Sequence, residues 1–311
     1  MARIVEHPPA PGTPEHTAMI TASKVPAILG ISRFKSQYTM WHEMAGLVEP
    51  EVLDRDRMAW GHIAEPSLAG WWLHKHPGAK LNPRRGGTFE IAYANDELPF
   101  PNIATLDRRA YLPTAPRDQQ FHIVECKTAM TLDDWGRPGE EDSVPADYYA
   151  QVMFQMGVSG IHQASAVVLG PFGEPEIHEI EFDQGEFDAI VDKLVDWQAS
   201  LEMGLAPTLD SSTSTYETVR GLHPKIDPEG EVQISLDQAK DFIKRARAED
   251  EGKAIHREVR NEINFLMGKA KYLKCGEVKI ADRRAKQGGT PYVQIEKKAD
   301  LTKVNQEEEE Q

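Results

Sequence analysis

Cysteine is scarce in this chain of 311 residues: Cys126 and Cys275 are the two present, too few for a disulfide framework, a cysteine-rich zinc site or an iron–sulfur cluster. Long apolar runs are missing as well. No stretch approaches the roughly eighteen consecutive apolar residues of a membrane span, and Met1-Ala2-Arg3-Ile4-Val5 does not open an apolar signal core, so the expected setting is the cytoplasm, away from membranes. His62, His74, His76 and His122 lack paired metal-ligand spacing, which disfavours zinc. Excess positive charge is also absent. With 35 Lys and Arg against 50 Asp and Glu, the formal charge of −15 argues against holding phosphate by bulk electrostatics. It leaves open a protein that reaches phosphate through metal ions, which needs clustered carboxylates. Glu307 to Glu310 also place part of the acidity in a terminal tail.

The chain reads as alternating blocks of helix and strand. Residues 1–15 are proline-rich and aperiodic, a flexible arm. A short helix capped by Thr21 or Ser23 ends at Gly30, a second runs from Ser36 to near Gly46, and a third spans about 54–74 with Pro66 predicting a kink or restart. Residues 88–93, 103–112 and 120–127 are β-branched and aromatic, separated by turn residues, and suit an antiparallel meander. Pro145 opens a helix, strands follow at 165–169 and 177–182, and an amphipathic helix covers about 186–203. This order describes an α+β or α/β core over residues 16–210. Residues 211–232, rich in Ser and Thr, read as a linker. The 233–298 extension holds one long helix or a helical hairpin over 236–267, then a β-hairpin of 277–281 with 292–295; residues 299–311 form an acidic disordered tail.

Chemistry concentrates at Phe121-His122-Ile123-Val124-Glu125-Cys126-Lys127. Alternation on a strand brings Glu125 and Lys127 out on one side while Val124 and Cys126 face the other. If Asp107 ends a neighbouring strand, its carboxylate joins them, and Glu65 on the third helix is a further candidate. Magnesium prefers oxygen ligands and usually keeps several waters, so two or three carboxylates are expected, and Asp107 and Glu125 suit it. Lys127 could then orient an attacking water, stabilise developing charge or, with a depressed pKa, accept a proton. That equipment is what metal-assisted phosphodiester hydrolysis requires. A basic run, Arg283-Arg284-Ala285-Lys286, could grip DNA phosphates or equally be a solvated turn.

Several segments occur in an order that resembles the YqaJ-like viral recombinases, which are similar to lambda exonuclease and belong to the PD-(D/E)-x-K nucleases. They are Ile20 to Val25 with Ile28-Leu29-Gly30, Trp60 to Pro66, Leu106-Asp107, Glu125-Cys126-Lys127 and Tyr149 to Met156, and the likeness covers roughly residues 16 to 200. The resemblance implies a mixed central β-sheet flanked by helices and an Mg2+-dependent exonuclease, with Mn2+ able to substitute, that resects linear double-stranded DNA from 5′ to 3′ for recombination or phage DNA metabolism. It assigns metal binding to Asp107, Glu125 and the main-chain carbonyl of Cys126, with Glu65 assisting. Lys127 becomes the catalytic lysine, Gln151 the glutamine beside the site and Tyr149 a neighbour. Ser23 and Thr105 fall where 5′-phosphate contacts are expected.

The same resemblance implies double-stranded DNA ends as partner, a single-strand annealing protein, a trimeric homo-oligomer and, for a phage-encoded chain, the host cytoplasm. Two positions depart from it. Leu106 replaces the proline that names the superfamily, and His16 stands where an arginine is expected, seven positions before Ser23. Histidine lacks the fixed bidentate fork of arginine, which Arg33 or Arg3 could supply instead. The competing readings are a single-strand or flap nuclease of the same superfamily and a non-catalytic DNA-end-binding scaffold.

Overall fold

The computed structural model describes residues 1–50, 55–140, 142–225, 227–285 and 290–303. They divide into two compact units, Met1–Ile226 and Asp227–Gln311. The first is built on two sheets. One has the order β1 (Ala2–Val5), β4 (Ile91–Asn95), β5 (Asn102–Leu106), β2 (Ile20–Thr21); the other runs β3 (Lys80–Leu81), β6 (Arg108–Tyr111), β7 (Phe121–Thr128), β8 (Gln163–Leu169), β9 (Glu176–Glu181). Sheet pairing is mixed, antiparallel except at β2/β5 and β7/β8. The fold is therefore α+β with mixed sheets. Asp107 is the single residue between β5 and β6, where the chain leaves one sheet for the other.

Strand alternation divides the five-stranded sheet into two faces. Ile123 on β7 and Ala164, Ala166 and Val168 on β8 enter the main core with α5 (Ala146–Ser159) and α6 (Gln184–Met203). Val124 and Val167 point the other way. They pack with Leu68 and Trp72 of α4 (Arg55–Lys75), and Cys126 lies against the same cluster. The parallel β7/β8 pair needs a crossover, and α5 provides it. Alanine, methionine and glutamine favour α5 as a helix, and Gly160 ends it at φ 69°, a left-handed conformation suited to glycine. The helix α4 continues through Pro66, which has no N–H to return to the carbonyl of His62.

Several expectations are corrected. Residues 1–15 are not wholly an arm: β1 pairs with β4, Ala2 opposite Asn95 and Val5 opposite Ala92, and α1 (Pro14–Ala18) begins within them. The helix expected from Thr21 is cut to α2 (Val25–Ile28), because Ile20 and Thr21 pair with β5 as a strand. The meander is split between two sheets at Asp107. The Ser/Thr run of 211–232 forms α7 (Thr213–Leu222), whose hydroxyls bond those of α3 (Gln37–Met44) and its cap, Ser36 to Thr215 at 2.7 Å and Thr39 to Thr218 at 2.8 Å.

In the second unit α8 (Leu236–Met267) is one continuous helix opened by a Ser235–Gln238 capping box. Ile263 and Met267 pack on a three-stranded sheet, β10 (Tyr272–Cys275), β11 (Val278–Arg284) and β12 (Tyr292–Ile295), where a hairpin was expected. Lys286 and the acidic run Glu307 to Glu310 lie outside the described residues.

A buried polar knot ties α4 to the sheet. Ser165 has one hydroxyl proton and gives it to Glu179 Oε2 at 2.9 Å, while its own Oγ accepts from Trp72 Nε1–H at 2.9 Å. His122 Nε2, 2.6 Å from Ser165 Oγ, must then carry a proton and donate. Burial, with His76 adding to it, pushes His122 down to about 4. The fold thus holds His122 neutral while the unfolded chain protonates near pH 6.5, so this contribution is complete above pH 6.5 and lost as pH falls to about 4. Urea unfolding should show the wild type losing roughly 2–3 kcal/mol more than His122→Gln across that window; parallel pH profiles would contradict it.

Close approach of α5 and α6 supplies a second expectation. A Cβ on Gly157 would lie 2.1 Å from the Phe187 ring, itself backed by Phe154 and Phe182, whereas one on Gly70 in α4 meets nothing within 4 Å. Gly157→Ala should therefore cost about 1–3 kcal/mol by overpacking, and Gly70→Ala should gain up to ~1 kcal/mol from helix propensity. Equal melting shifts for the two variants would refute that packing.

Candidate active site

Five of the expected residues meet at the end of β5 and along β7. Glu125 and Lys127 leave β7 on the α5 side, and Lys127 Nζ donates to Glu125 Oε1 at 2.7 Å. Gln151 on α5 links them: its Nε2 donates to Glu125 Oε1 at 2.6 Å, and its Oε1 accepts from Lys127 Nζ at 3.3 Å. The Lys127 ammonium also lies 5.0 Å from the centroid of the Tyr148 ring. Asp107 joins from the sheet junction, its Oδ2 accepting the Cys126 main-chain N–H at 2.8 Å. Glu125 has 3 % of its side chain exposed and Lys127 17 %, so the lysine is the member that faces outward.

The electrostatics follow from burying two like charges together. Burial and then the Glu125 charge push Asp107 well above the ordinary carboxylate range, against the opposing pull of Lys127 and the Cys126 N–H. Burial alone would lower Lys127, but Glu125 and Asp107 outweigh it and push the lysine up. Lys127 is thus an ammonium here, which suits it to meeting phosphate charge and not to accepting a proton. The Cys126 thiol is raised by burial and by the surrounding carboxylates, so it stays protonated.

Sequence reasoning missed Gln155. It is fully buried on α5, and its Nε2 donates to Glu125 Oε2 at 2.9 Å and to the Thr105 carbonyl at 3.0 Å. Both neighbours accept, so the amide nitrogen must face them, and Oε1 is left buried without a donor. The signal was the i, i+4 spacing of Gln151 and Gln155, which stacks the two amides on one helix face. Arg108 was also missed. It donates through Nη1 to Glu65 Oε1 and, at 2.6 Å, to the Asp107 carbonyl.

The remaining expected residues are distributed differently. Glu65 reaches the neighbourhood from α4 but is held by Arg108, and among the described residues no three His, Cys, Asp or Glu side chains gather as a metal-binding group. Two carboxylates and a peptide carbonyl still suit Mg2+, which usually retains several waters. The excess negative charge that raises Asp107 is what a divalent cation would relieve. Parallel pairing ends with Thr21 opposite Ile103; the chain then turns, the Lys24 N–H donating to the Thr21 carbonyl, and the Ser23 hydroxyl lies 3.0 Å from that of Thr21, while Thr105 pairs on β5 opposite Ala92.

His16 is half-buried, pushed down by burial and by Lys24. Lys24 Nζ donates to the carbonyls of His16, Thr17 and Met19 at 3.0, 2.6 and 2.8 Å, pinning the end of α1, and burial lowers it to about 8. Neither proposed replacement for the missing arginine is free. Arg33 forks onto Asp147 with two bonds of 2.8 Å, and Arg3 pairs with Asp96. Tyr149 donates to Glu186 on α6. In the second unit Arg284 pairs with Asp282, and Arg283 donates to the Gly268 carbonyl. Gln155→Leu should destabilise the protein by about 1–3 kcal/mol in denaturant unfolding, because Glu125 Oε2 and the Thr105 carbonyl lose their donor inside the fold. An unchanged midpoint would show that Gln155 does not brace Glu125.

Residues 14–162 match the YqaJ-like viral recombinase domain. The chain is 23 % identical over 261 residues to "Uncharacterized protein YqaJ" of Bacillus subtilis (strain 168), covering 81 % of this chain and 76 % of that protein. An alkaline exonuclease (LHK-Exo) from Laribacter hongkongensis has a partly similar structure, at 14 % identity and a TM-score of 0.42, over 61 % of this chain and 90 % of the exonuclease. Its complex with dAMP gives 15 % identity and the same TM-score, over 62 % and 94 %. Asp107, Glu125, Lys127 and Gln151 all fall inside the segment of this chain, residues 14–162, that matches the YqaJ-like viral recombinase domain.

Proposed function

We propose that this chain is a divalent-cation-dependent deoxyribonuclease that resects one strand of linear double-stranded DNA from 5′ to 3′. The observation that carries the reading is the convergence of Asp107, Glu125 and Lys127, a half-buried and a buried carboxylate with an ammonium, at one strand edge within a recombinase-type domain. Asp107, Glu125 and the main-chain carbonyl of Cys126 would hold Mg2+ or Mn2+. When bound there, such an ion supplies Lewis acidity that offsets phosphate charge and makes water easier to ionise.

The chain's own groups do the positioning. Lys127, the more exposed member, offers its ammonium to a non-bridging phosphate oxygen and stabilises charge that grows during cleavage. Gln151 fixes the lysine and Glu125 relative to each other, and Gln155 holds the second oxygen of Glu125. Ser23 and Thr105 would provide hydroxyls for a terminal 5′-phosphate, a role that rests, like the proposed direction, on the family resemblance. A single-strand annealing protein as partner and a trimeric assembly belong to the same reading and rest on the family resemblance.

The test offers purified protein and Mg2+ three DNAs: 5′-phosphorylated linear duplex, closed circular duplex and single strand. Loss of linear duplex alone is expected, with Lys127→Ala reducing the rate by roughly a hundredfold or more. Equal attack on single strands would replace this reading with a single-strand or flap nuclease, and no cation-dependent cleavage of any substrate would leave only a DNA-binding scaffold.

A further inference from the structure

Glu65 was expected to assist a cation, yet Arg108 already occupies it. Arg108 Nη1 bonds both Glu65 Oε1 and the Asp107 carbonyl, and the guanidinium carbon lies 4.3 Å from the centroid of the Phe89 ring. Only 3 % of the Arg108 side chain is exposed. An arginine closed in by a ring, a carboxylate and a carbonyl does not swing aside cheaply, since opening the pair strands a buried charge.

The strand register separates Glu65 from Glu125 as well. Arg108 pairs opposite Val124, so it emerges on the α4 face of the sheet, and α4 carries Glu65. Cys126 is on that face too, its thiol 3.7 Å from the Glu65 carbonyl. Glu125 and Lys127 emerge on the α5 face. Asp107, at the junction of the two sheets, is the carboxylate placed to serve either side.

We infer that Arg108 stands in for a second cation, so that this centre binds one divalent ion, at Asp107 and Glu125, with Glu65 neutralised by the arginine. The inference rests on the cation-dependent reading above. Arg108 acts as a positioning residue: its fixed charge balances Glu65 without dissociating, and its bond to the Asp107 carbonyl anchors the junction from which that carboxylate projects. Cleavage would then follow cation concentration with single-site behaviour.

The test counts ions on the full-length protein. After chelator treatment it is titrated with Mn2+, reading free ion by electron paramagnetic resonance, with and without an uncleavable phosphorothioate duplex. Asp107→Asn identifies the sites belonging to the centre, because weak sites elsewhere on the acidic chain persist in that variant. The wild type should hold one more tight Mn2+ than Asp107→Asn under both conditions. Glu65→Gln should keep that ion with affinity changed less than about threefold, and Arg108→Met, by releasing Glu65, should gain a second.

Two tight ions lost in Asp107→Asn, or a weakening of tenfold or more in Glu65→Gln, would overturn the inference while leaving a cation-dependent centre in place. Equal counts for the wild type and Asp107→Asn would overturn the centre itself. The wild-type count decides the matter even if Arg108→Met does not fold.

Discussion

Two carboxylates share a buried strand edge in this protein, and the arrangement around them answers the resulting charge. Burial and then the Glu125 charge raise the cost of ionising Asp107. Lys127 offsets part of it, the amides of Gln151 and Gln155 occupy the oxygens of Glu125, and the Cys126 N–H occupies Asp107. Each donor comes from a different turn or strand position. Their agreement depends on β7 keeping its register against β6 and β8, since a shift of one residue would turn Glu125 and Lys127 toward α4 and bring Cys126 under α5.

The two helices that enclose the sheet therefore have unlike tasks. The crossover helix α5 supplies neutral donors at Gln151 and Gln155 and the Tyr148 ring beneath the ammonium, which hold Glu125 and Lys127 without adding net charge. On the other face α4 supplies Glu65, and Arg108 cancels it at once. Trp72 anchors α4 to Ser165 and stacks on His76, so the position of Glu65 depends on a contact two helical turns farther along. An overall charge of −15 is compatible with the proposed phosphate chemistry, because a local ammonium and the proposed cation site would answer phosphate at short range while bulk charge acts through screened long-range fields.

Much of the site was legible in the sequence because strand alternation is a strict rule. Glu125 and Lys127 had to share a face, and Val124 and Cys126 had to take the other. The strands β7 to β9 and the helices α5 and α6 also followed from periodicity, whereas periodicity leaves 236–267 open between one long helix and a helical hairpin, and it is the single helix α8. The break at Asp107 was not legible, because β5 and β6 are separated by a single residue, with no glycine or proline to mark the change of sheet. The linker reading of 211–232 failed over 213–222 for a chemical reason: serine and threonine resemble linker composition, but the hydroxyls of α7 and α3 bond one another in a buried seam. Arg108 with Glu65 was invisible because the partners are 43 residues apart and no local spacing joins them. Gln155 was visible as a helix neighbour of Gln151 and was passed over, since an uncharged side chain gives no charge pattern to notice.

The central claim is that Asp107 and Glu125 form the seat of a divalent cation. Its most direct test is anomalous diffraction from crystals grown with Mn2+, collected on both sides of the manganese absorption edge. The account predicts one strong anomalous peak shared by the Asp107 and Glu125 carboxylates, with Arg108 still on Glu65. Absence of manganese from that position in well-ordered crystals, with Asp107 and Glu125 retaining their present partners, would contradict it.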